Sequence, residues 1–455
     1  MIRYVLAIGI VFCGAGAARA QVVNAPVATV SATGTAGPDS EGRPLTLDQA
    51  LALARRANRS LVAERSRVAQ ARVSLEQAYN VLFPTLTAQG KYTRNNIGVA
   101  LQFPDMTTGQ IDNINLQPKN QLDGTVAFQT LLFAPAVYSG LKAVKSGVDV
   151  AEDSMKATEE SILFSVAQSF YASAIADEVL AARDSNIAVA KATLDTARTR
   201  FSSGTVTKLD VDRAQIAVLR VEQAKREAEL ARSQSYRALA TLIEEERPFR
   251  VVPPAQGFNP VEVDTLGKDL GNVLQLRPEF RALEAGARQV DQQRSADLWR
   301  WAPSISAFGN ARWFNYDNFV RQHHSWAVGA TLDWVIYDGG TRDADRHLQI
   351  AKLTEAMARQ DVLRESIRDD IENGKVQVRT KHQAQLTAER SVGLAQETVE
   401  LTRTQYEAGS ATQIDVLQAQ DALVAAQDEL ARAHFDVALA DLTLRRAAGT
   451  FPGER

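Results

Sequence analysis

Hydrophobic and polar positions along this chain switch between two periods, and they do so twice. Leu45-Thr46-Leu47-Asp48-Gln49-Ala50 opens a helical pattern, with Thr46 placed to cap it and Gln49 three residues on to complete a capping box. Helical spacing continues to about Phe83, with a break near Asn58. At Pro84 the period falls to two. Leu86, Ala88, Gly90 and Tyr92 alternate with Thr85, Thr87, Gln89, Lys91 and Thr93, which predicts a strand with one apolar and one polar face. A polar stretch holding Asn95, Asn96, Pro104, Asp105, Gly109 and Asn113 reads as a loop. A second alternating run follows, Leu122, Gly124, Val126 and Phe128 against Asp123, Thr125, Ala127 and Gln129. The two strands are expected over about 84–95 and 121–133.

From about Pro135 the spacing becomes seven. Leu141, Val148, Met155 and Ile162, with Val144 and Ala151 between them, form a heptad seam. Ser202-Ser203-Gly204 interrupts it and a returning helix runs to about Ile243, so a long hairpin is expected over 136–245. A Pro-rich joint follows (Pro248, Pro253, Pro254, Pro260). The second half then repeats the programme, with a helix from about Pro278 to Trp301, strands over about 303–316 and 325–337, and a hairpin over 341–448. In the last helix Val416, Leu423, Leu430, Val437 and Leu444 fall every seven residues, and Ala419, Ala426, Ala433, Ala440 and Ala447 fill the second seam position.

The halves match residue by residue. Arg198-Thr199 matches Arg403-Thr404, and Phe201 matches Tyr406. Gly204, Thr207, Asp210, Val211, Ala214 and Gln215 match Gly409, Thr412, Asp415, Val416, Ala419 and Gln420 at one constant offset. This internal duplication divides the chain into a first repeat (45–245), a linker (246–277), a second repeat (278–450) and a short tail (451–455). Helices near 100 Å long, at about 1.5 Å per residue, suit a coiled-coil wall rather than a compact domain. Four amphipathic strands cannot close a barrel, and an open sheet in lipid leaves backbone groups unpaired. Two chains would give eight strands and a filled interior; three would give twelve and a lumen. A homotrimer is thus the smallest assembly with a pore, provided the strands lie in a membrane.

Composition narrows the class. The chain of 455 residues carries 51 basic and 54 acidic side chains, net −3, which gives no electrostatic footprint for nucleic acid. Arg3, the apolar run Tyr4 to Phe12, and Ala18-Arg19-Ala20 before Gln21 read as a secretory signal over 1–20 with cleavage at Ala18, Ala20 and Gln21. The Ala/Val/Thr/Gly/Pro-rich segment 21–44 reads as extended. The single cysteine, Cys13, falls inside the signal, and Phe12 before it argues against lipidation. No Walker loop, dinucleotide fingerprint or HExxH motif is present. His323-His324 lacks companion ligands and adjacent strand residues face opposite ways; Ser139 and Lys142 match S-x-x-K only inside a heptad helix. No catalysis, cofactor or metal is expected. Trp313, Tyr316, Trp326 and Trp334 near strand ends suit either a lipid interface or packing on a neighbouring strand.

The alternating strand pairs, the turn Tyr337-Asp338-Gly339-Gly340 into a long helix, the two hairpin tips and the closing stretch Leu444 to Phe451 resemble the TolC family of outer-membrane efflux proteins, over about Leu45 to Phe451. The resemblance implies a mainly α fold with a small β part. Three copies would form a twelve-strand barrel in the outer-membrane lipid, continuous with a twelve-helix periplasmic barrel. It also implies a passive duct of a tripartite efflux or type I secretion system. Its partners would be a periplasmic adaptor and an inner-membrane pump or ABC transporter, and its gate would lie at the hairpin tips. In the tips, Gly204 and Gly409 stand where the chain reverses, and Thr207 and Thr412 suit caps of the returning helices. Asp210 and Asp415 lie in the first turn. They read either as capping electrostatics or, tripled about an axis, as cation-attracting rings. The resemblance places Asp415 on a constriction position. Gln418 stands where the family often has a second acid. Ala411 replaces an arginine of a gate-holding link, which leaves Tyr406 and Arg403 as candidates to hold the closed tips. The rival readings are a periplasmic coiled-coil adaptor, which usually has one hairpin between β-rich halves, and a soluble structural coiled coil, which has no use for strands with a continuous apolar face.

Overall fold

The computed structural model describes residues 42–104, 111–254, 260–316 and 322–451. The expected signal with Ala18, Ala20 and Gln21, most of segment 21–44, Asp105, Gly109 and the tail after Phe451 lie outside the described residues.

Strand β1 (Arg43–Leu45) leads into helix α1 (Leu47–Ala57). Thr46 and Gln49 exchange their capping-box bonds at 3.3 and 3.4 Å. Asn58 ends α1 and caps α2 (Arg59–Asn80), its Oδ1 accepting from Ser60 and Leu61 while its Nδ2 donates to the Leu242 carbonyl at 2.9 Å. The break near Asn58 is therefore a fixed joint with a long-range anchor.

Strand β2 (Thr85–Arg94) follows. The stretch read as a polar loop instead contains an antiparallel pair, β3 (Val99–Pro104) and β4 (Ile111–Gln117). Asp112, Asn113, Asn115 and Gln117 make β4 polar, so no burial pattern marks it; pairing of its backbone with β3 forms it. Strand β5 (Asn120–Phe133) then enters α3 (Pro135–Ser202), 68 residues long with Pro135 at its first turn. Helix α4 (Lys208–Ile243) returns. The linker carries β6 (Phe249–Val251), paired in parallel with β1, and the short helices α5 (Pro260–Thr265) and α6 (Leu270–Leu276). Then come α7 (Pro278–Trp299), β7 (Ser304–Phe314), β8 (His324–Asp333), α8 (Thr341–Glu407, 67 residues) and α9 (Gln413–Ala447). Strand β8 ends before Trp334, whose Nε1 donates to the Trp301 carbonyl at 3.1 Å.

The main sheet has order β2-β5-β7-β8 with every neighbouring pair antiparallel. Register aligns its faces in rows. Leu86, Phe128, Gly309 and Val328 form one row of the apolar face, and Ala88, Val126, Ala311 and Trp326 the next. Leu86, Val328 and Trp326 are 73, 77 and 75% exposed, so nothing among the described residues covers this face.

The helices repeat the order of the strands. Nearest the sheet, α2 packs on α3, α3 on α7, and α7 on α8. Farther away α4 and α9 take the places of α2 and α7, giving α4-α3-α9-α8. The fold is a four-column wall in which α3 and α8 each run about 100 Å without interruption. The core lies where columns cross. One cluster surrounds Phe170, Leu163 and Leu239, and a second surrounds Leu444, Ile367 and Phe280. Gly374 admits Leu444 so closely that a Cβ there would stand 3.2 Å from its Cδ1. In α3 the seam begins at Leu141 and Val148 but reaches Leu163, Val166 and Phe170 rather than Met155 and Ile162. A straight helix drifts against a seven-residue repeat by about 20° per heptad, and α3 changes partners at this height. Among the described residues no helix is long and apolar enough to cross a membrane.

Candidate functional site

The end of the wall remote from the sheet is built from the two matched hairpin turns. Gly204 and Gly409 have φ of +73° and +80°. The Thr205 and Ser410 amides reach back to the carbonyls of Arg200 and Gln405 at 3.0 and 2.9 Å, which closes each long helix with a Schellman turn. Thr207 and Thr412 then cap α4 and α9. The Asp210 carboxylate accepts from the Thr207 amide at 3.0 Å and its hydroxyl at 2.7 Å. Asp415 accepts from Thr412 in the same way at 2.7 and 2.6 Å. The Thr412 hydroxyl, followed by its amide, holds the Asp415 carboxyl below the ordinary 3.8. Asp415 and Gln418 are both exposed.

Tyr406 and Arg403 part company. Arg403 pairs with Glu407 one turn along its own helix at 3.2 Å. Tyr406 is buried against the other hairpin, and its partner there is Arg200, which the sequence reading missed. The Arg200 guanidinium lies 4.5 Å from the Tyr406 ring centre and donates to the Tyr406 and Glu407 carbonyls, each at 2.6 Å. One cation thereby satisfies the open carbonyl end of α8 from the neighbouring hairpin. Burial, and then the nearby Asp210 charge, push the Tyr406 phenol up against the opposing effect of Arg200.

The wall is polar where the hairpins meet. Gln420 donates to Thr193 at 2.8 Å, Asn186 to Gln427 at 3.2 Å, and Arg183 grips both oxygens of Asp428 at 2.7 and 2.6 Å. His434 lies 3.2 Å from Glu178. On α9 three of these rung positions, Gln420, Gln427 and His434, fall seven apart. The next α9 position is Gln413, which is 3% exposed with neither amide atom hydrogen-bonded; the Tyr406 hydroxyl is likewise buried without a partner. Inside the first hairpin an apolar seam of Ala190, Leu194, Ala197, Ala214 and Val218 is flanked by the pairs Lys191–Glu222 at 3.5 Å and Lys225–Asp184 at 2.7 Å. A groove of about 240 Å³ opens between the hairpins near the tips, lined by Val189, Ile216, Arg220, Leu417, Gln420 and Val424 among others. At roughly 100° per residue, Leu417, Gln420 and Val424 project from α9 opposite to Asp415 and Gln418.

A wall with one naked apolar sheet face, helices far longer than a compact domain needs and two matched tips is a segment of an outer-membrane channel. The chain matches the outer membrane efflux protein family over residues 50–244 and 270–450, and it belongs to that family. Nodulation protein T of Rhizobium leguminosarum bv. trifolii is 23% identical over 377 residues, which cover 81% of this chain and 78% of that protein. Outer membrane efflux protein BepC of Brucella suis biovar 1 is 21% identical over 328 residues, covering 70 and 69%. Among solved structures the fold is similar to that of VceC from Vibrio cholerae, with a TM-score of 0.73 at 18% identity over 89% of this chain and 96% of that one. It is also similar to the Campylobacter jejuni CmeC channel, with a TM-score of 0.74 at 18% identity over 89 and 86%. The TolC-like resemblance is thereby established. The chain is a channel component of the outer membrane with a long periplasmic helical extension.

Proposed function

We propose that three copies close edge to edge into a passive export duct gated at the hairpin tips. The duct serves a tripartite efflux or type I secretion system, joined to a periplasmic adaptor and an inner-membrane pump or ABC transporter. The observation that carries this reading is that both halves of the wall are open along the same two columns. The sheet ends in unpaired β2 and β8, and these strands continue into α2, which stacks above α4, and into α8. On α4, Leu209, Ile216 and Leu230 are exposed at multiples of seven residues, and on α8 Leu394 and Leu401 are exposed seven apart. Burying a leucine is worth about 1.5–3 kcal/mol, so stripes of this kind favour a neighbour. Joining β8 and α8 of one copy to β2 and α4 of the next closes sheet and helices together, with twelve strands in lipid and twelve helix columns below. The repeats 45–245 and 278–450 each supply one strand pair and one hairpin, and the linker 246–277 braces them at mid-height.

In this duct Asp415 and Gln418 line the narrow end, and Asp415, tripled, sets a preference for cations. The link from Arg200 to Tyr406 and Glu407 holds the tips together. The groove on the opposite side of α9 is the seat for the adaptor. Light scattering of the full chain in mild detergent tests the assembly. A trimer is expected; a stable, well-folded monomer inert toward lipid overturns it.

A further inference from the structure

The polar face of the sheet carries an uneven distribution of charge. Its positions are Thr85, Thr87, Gln89, Lys91 and Thr93 on β2, and Gln121, Asp123, Thr125, Ala127 and Gln129 on β5. On β7 and β8 it takes the alternate residues from Ser304 to Phe314 and from Ser325 to Asp333. Its ionised side chains are therefore Lys91, Asp123, Arg312 and Asp333. They separate along the strands. Asp123 stands in register with Lys91 on one side and Phe314 on the other, whereas Asp333 faces Ser304, ten residues down β7 and about 33 Å nearer the helices.

Asp123 is fully engaged at the outer end. Arg312 donates to its Oδ1 through Nε at 3.1 Å and Nη2 at 2.6 Å, Gln121 donates to Oδ2 at 2.8 Å, and the Tyr316 hydroxyl lies 3.3 Å from Oδ1. The Tyr316 hydroxyl in turn accepts from Arg312 at 2.7 Å. The side chain of Asp123 is 9% exposed and that of Arg312 45%, so the carboxylate is covered while the guanidinium stays open to solvent. The side chain of Lys91, its register neighbour, is exposed and makes no hydrogen bond or ion pair among the described residues. On the polar face of each sheet, two cations against one saturated anion leave one net positive charge at the outer end, and Asp333 leaves one net negative charge at the inner end.

We infer that the outer end of the barrel lumen is an anion-attracting belt built from Lys91 and the Asp123-pinned Arg312, with affinity for multivalent anions bearing phosphate or carboxylate groups. The inference rests on the three-copy duct, which turns the polar face inward and triples the belt. Charges on a low-dielectric wall concentrate counter-ions in the confined water beside them. Such a belt opposes the acidic tips, so a solute passes an acidic constriction first and a basic mouth last.

Reversal potentials of the full-length protein in planar bilayers under a KCl gradient test it. Lys91→Glu, which changes the sign of three charges, is expected to lower the chloride-to-potassium permeability ratio about threefold, and Lys91→Gln by less. Tripolyphosphate added on the outer side is expected to block the parent current and to lose that block in Lys91→Gln. Parent-like ratios and unaltered block in both variants, while Asp415→Asn still shifts selectivity, overturn the belt and leave the duct standing. A parent protein that is monomeric and passes no current removes the duct, and the belt with it.

Discussion

At the scale of single residues the tips combine a satisfied pair of acids with unsatisfied neighbours. Asp415 completes the capping box of α9 before it is anything else, and its Thr412 donors favour the charged form. Its folded-state pKa is depressed, so its charge and its capping contribution persist at neutral pH and are lost only as pH falls through a value below 3.8. Cation selectivity should therefore hold from pH 7 to pH 5 and vanish in Asp415→Asn at every pH; bilayer recordings across that range check both. Arg200→Ala should loosen the tips and raise resting conductance, because two charge-assisted bonds of about 1.5–3 kcal/mol each disappear. Gln413→Leu should instead stabilise the fold by about 1 kcal/mol, since each buried unsatisfied polar group costs roughly 1–3 kcal/mol; thermal melting measures it. The capping threonines, the glycines and the aspartates were legible in the sequence because a cap is made within four residues. Arg200 and Gln413 were not. Arg200 meets Tyr406 across 206 residues of chain, and nothing local marks either position.

At the scale of elements the duplicated programme of strand pair and hairpin was legible, because period two and period seven are written in side-chain polarity. The β3–β4 pair was illegible for the converse reason: a polar strand held by backbone pairing leaves no alternation to read. The seam of α3 was legible at its start and not beyond, since the drift of a straight helix and the exchange of α7 for α9 as neighbour both depend on packing. Two substitutions probe the elements directly. Gly409→Ala places a Cβ at φ +80° and should cost about 1–2 kcal/mol, seen as a lower midpoint in denaturant. Gly374→Val pushes a side chain against Leu444, where even a Cβ would lie 3.2–3.4 Å from three of its atoms. That overpacking should cost about 1–3 kcal/mol and separate α8 from α9 at mid-height.

At the scale of the whole molecule a single chain is an incomplete object, with bare edges on β2 and β8 and leucine stripes on α4 and α8. Leu401 is 58% exposed, so, with three copies closed as proposed, Leu401→Glu should leave the fold of the chain and its circular dichroism intact while turning the detergent-solubilised assembly into monomers. The α3–α9 junction has a different consequence. Its rungs are amides, hydroxyls and ion pairs, groups that water replaces at little net cost, but the groove beside them is lined by Val189, Ile216, Leu417 and Val424. If the hairpins part as the proposed gate requires, water takes over the rungs while an apolar strip stays beside them, to which a greasy solute can adhere.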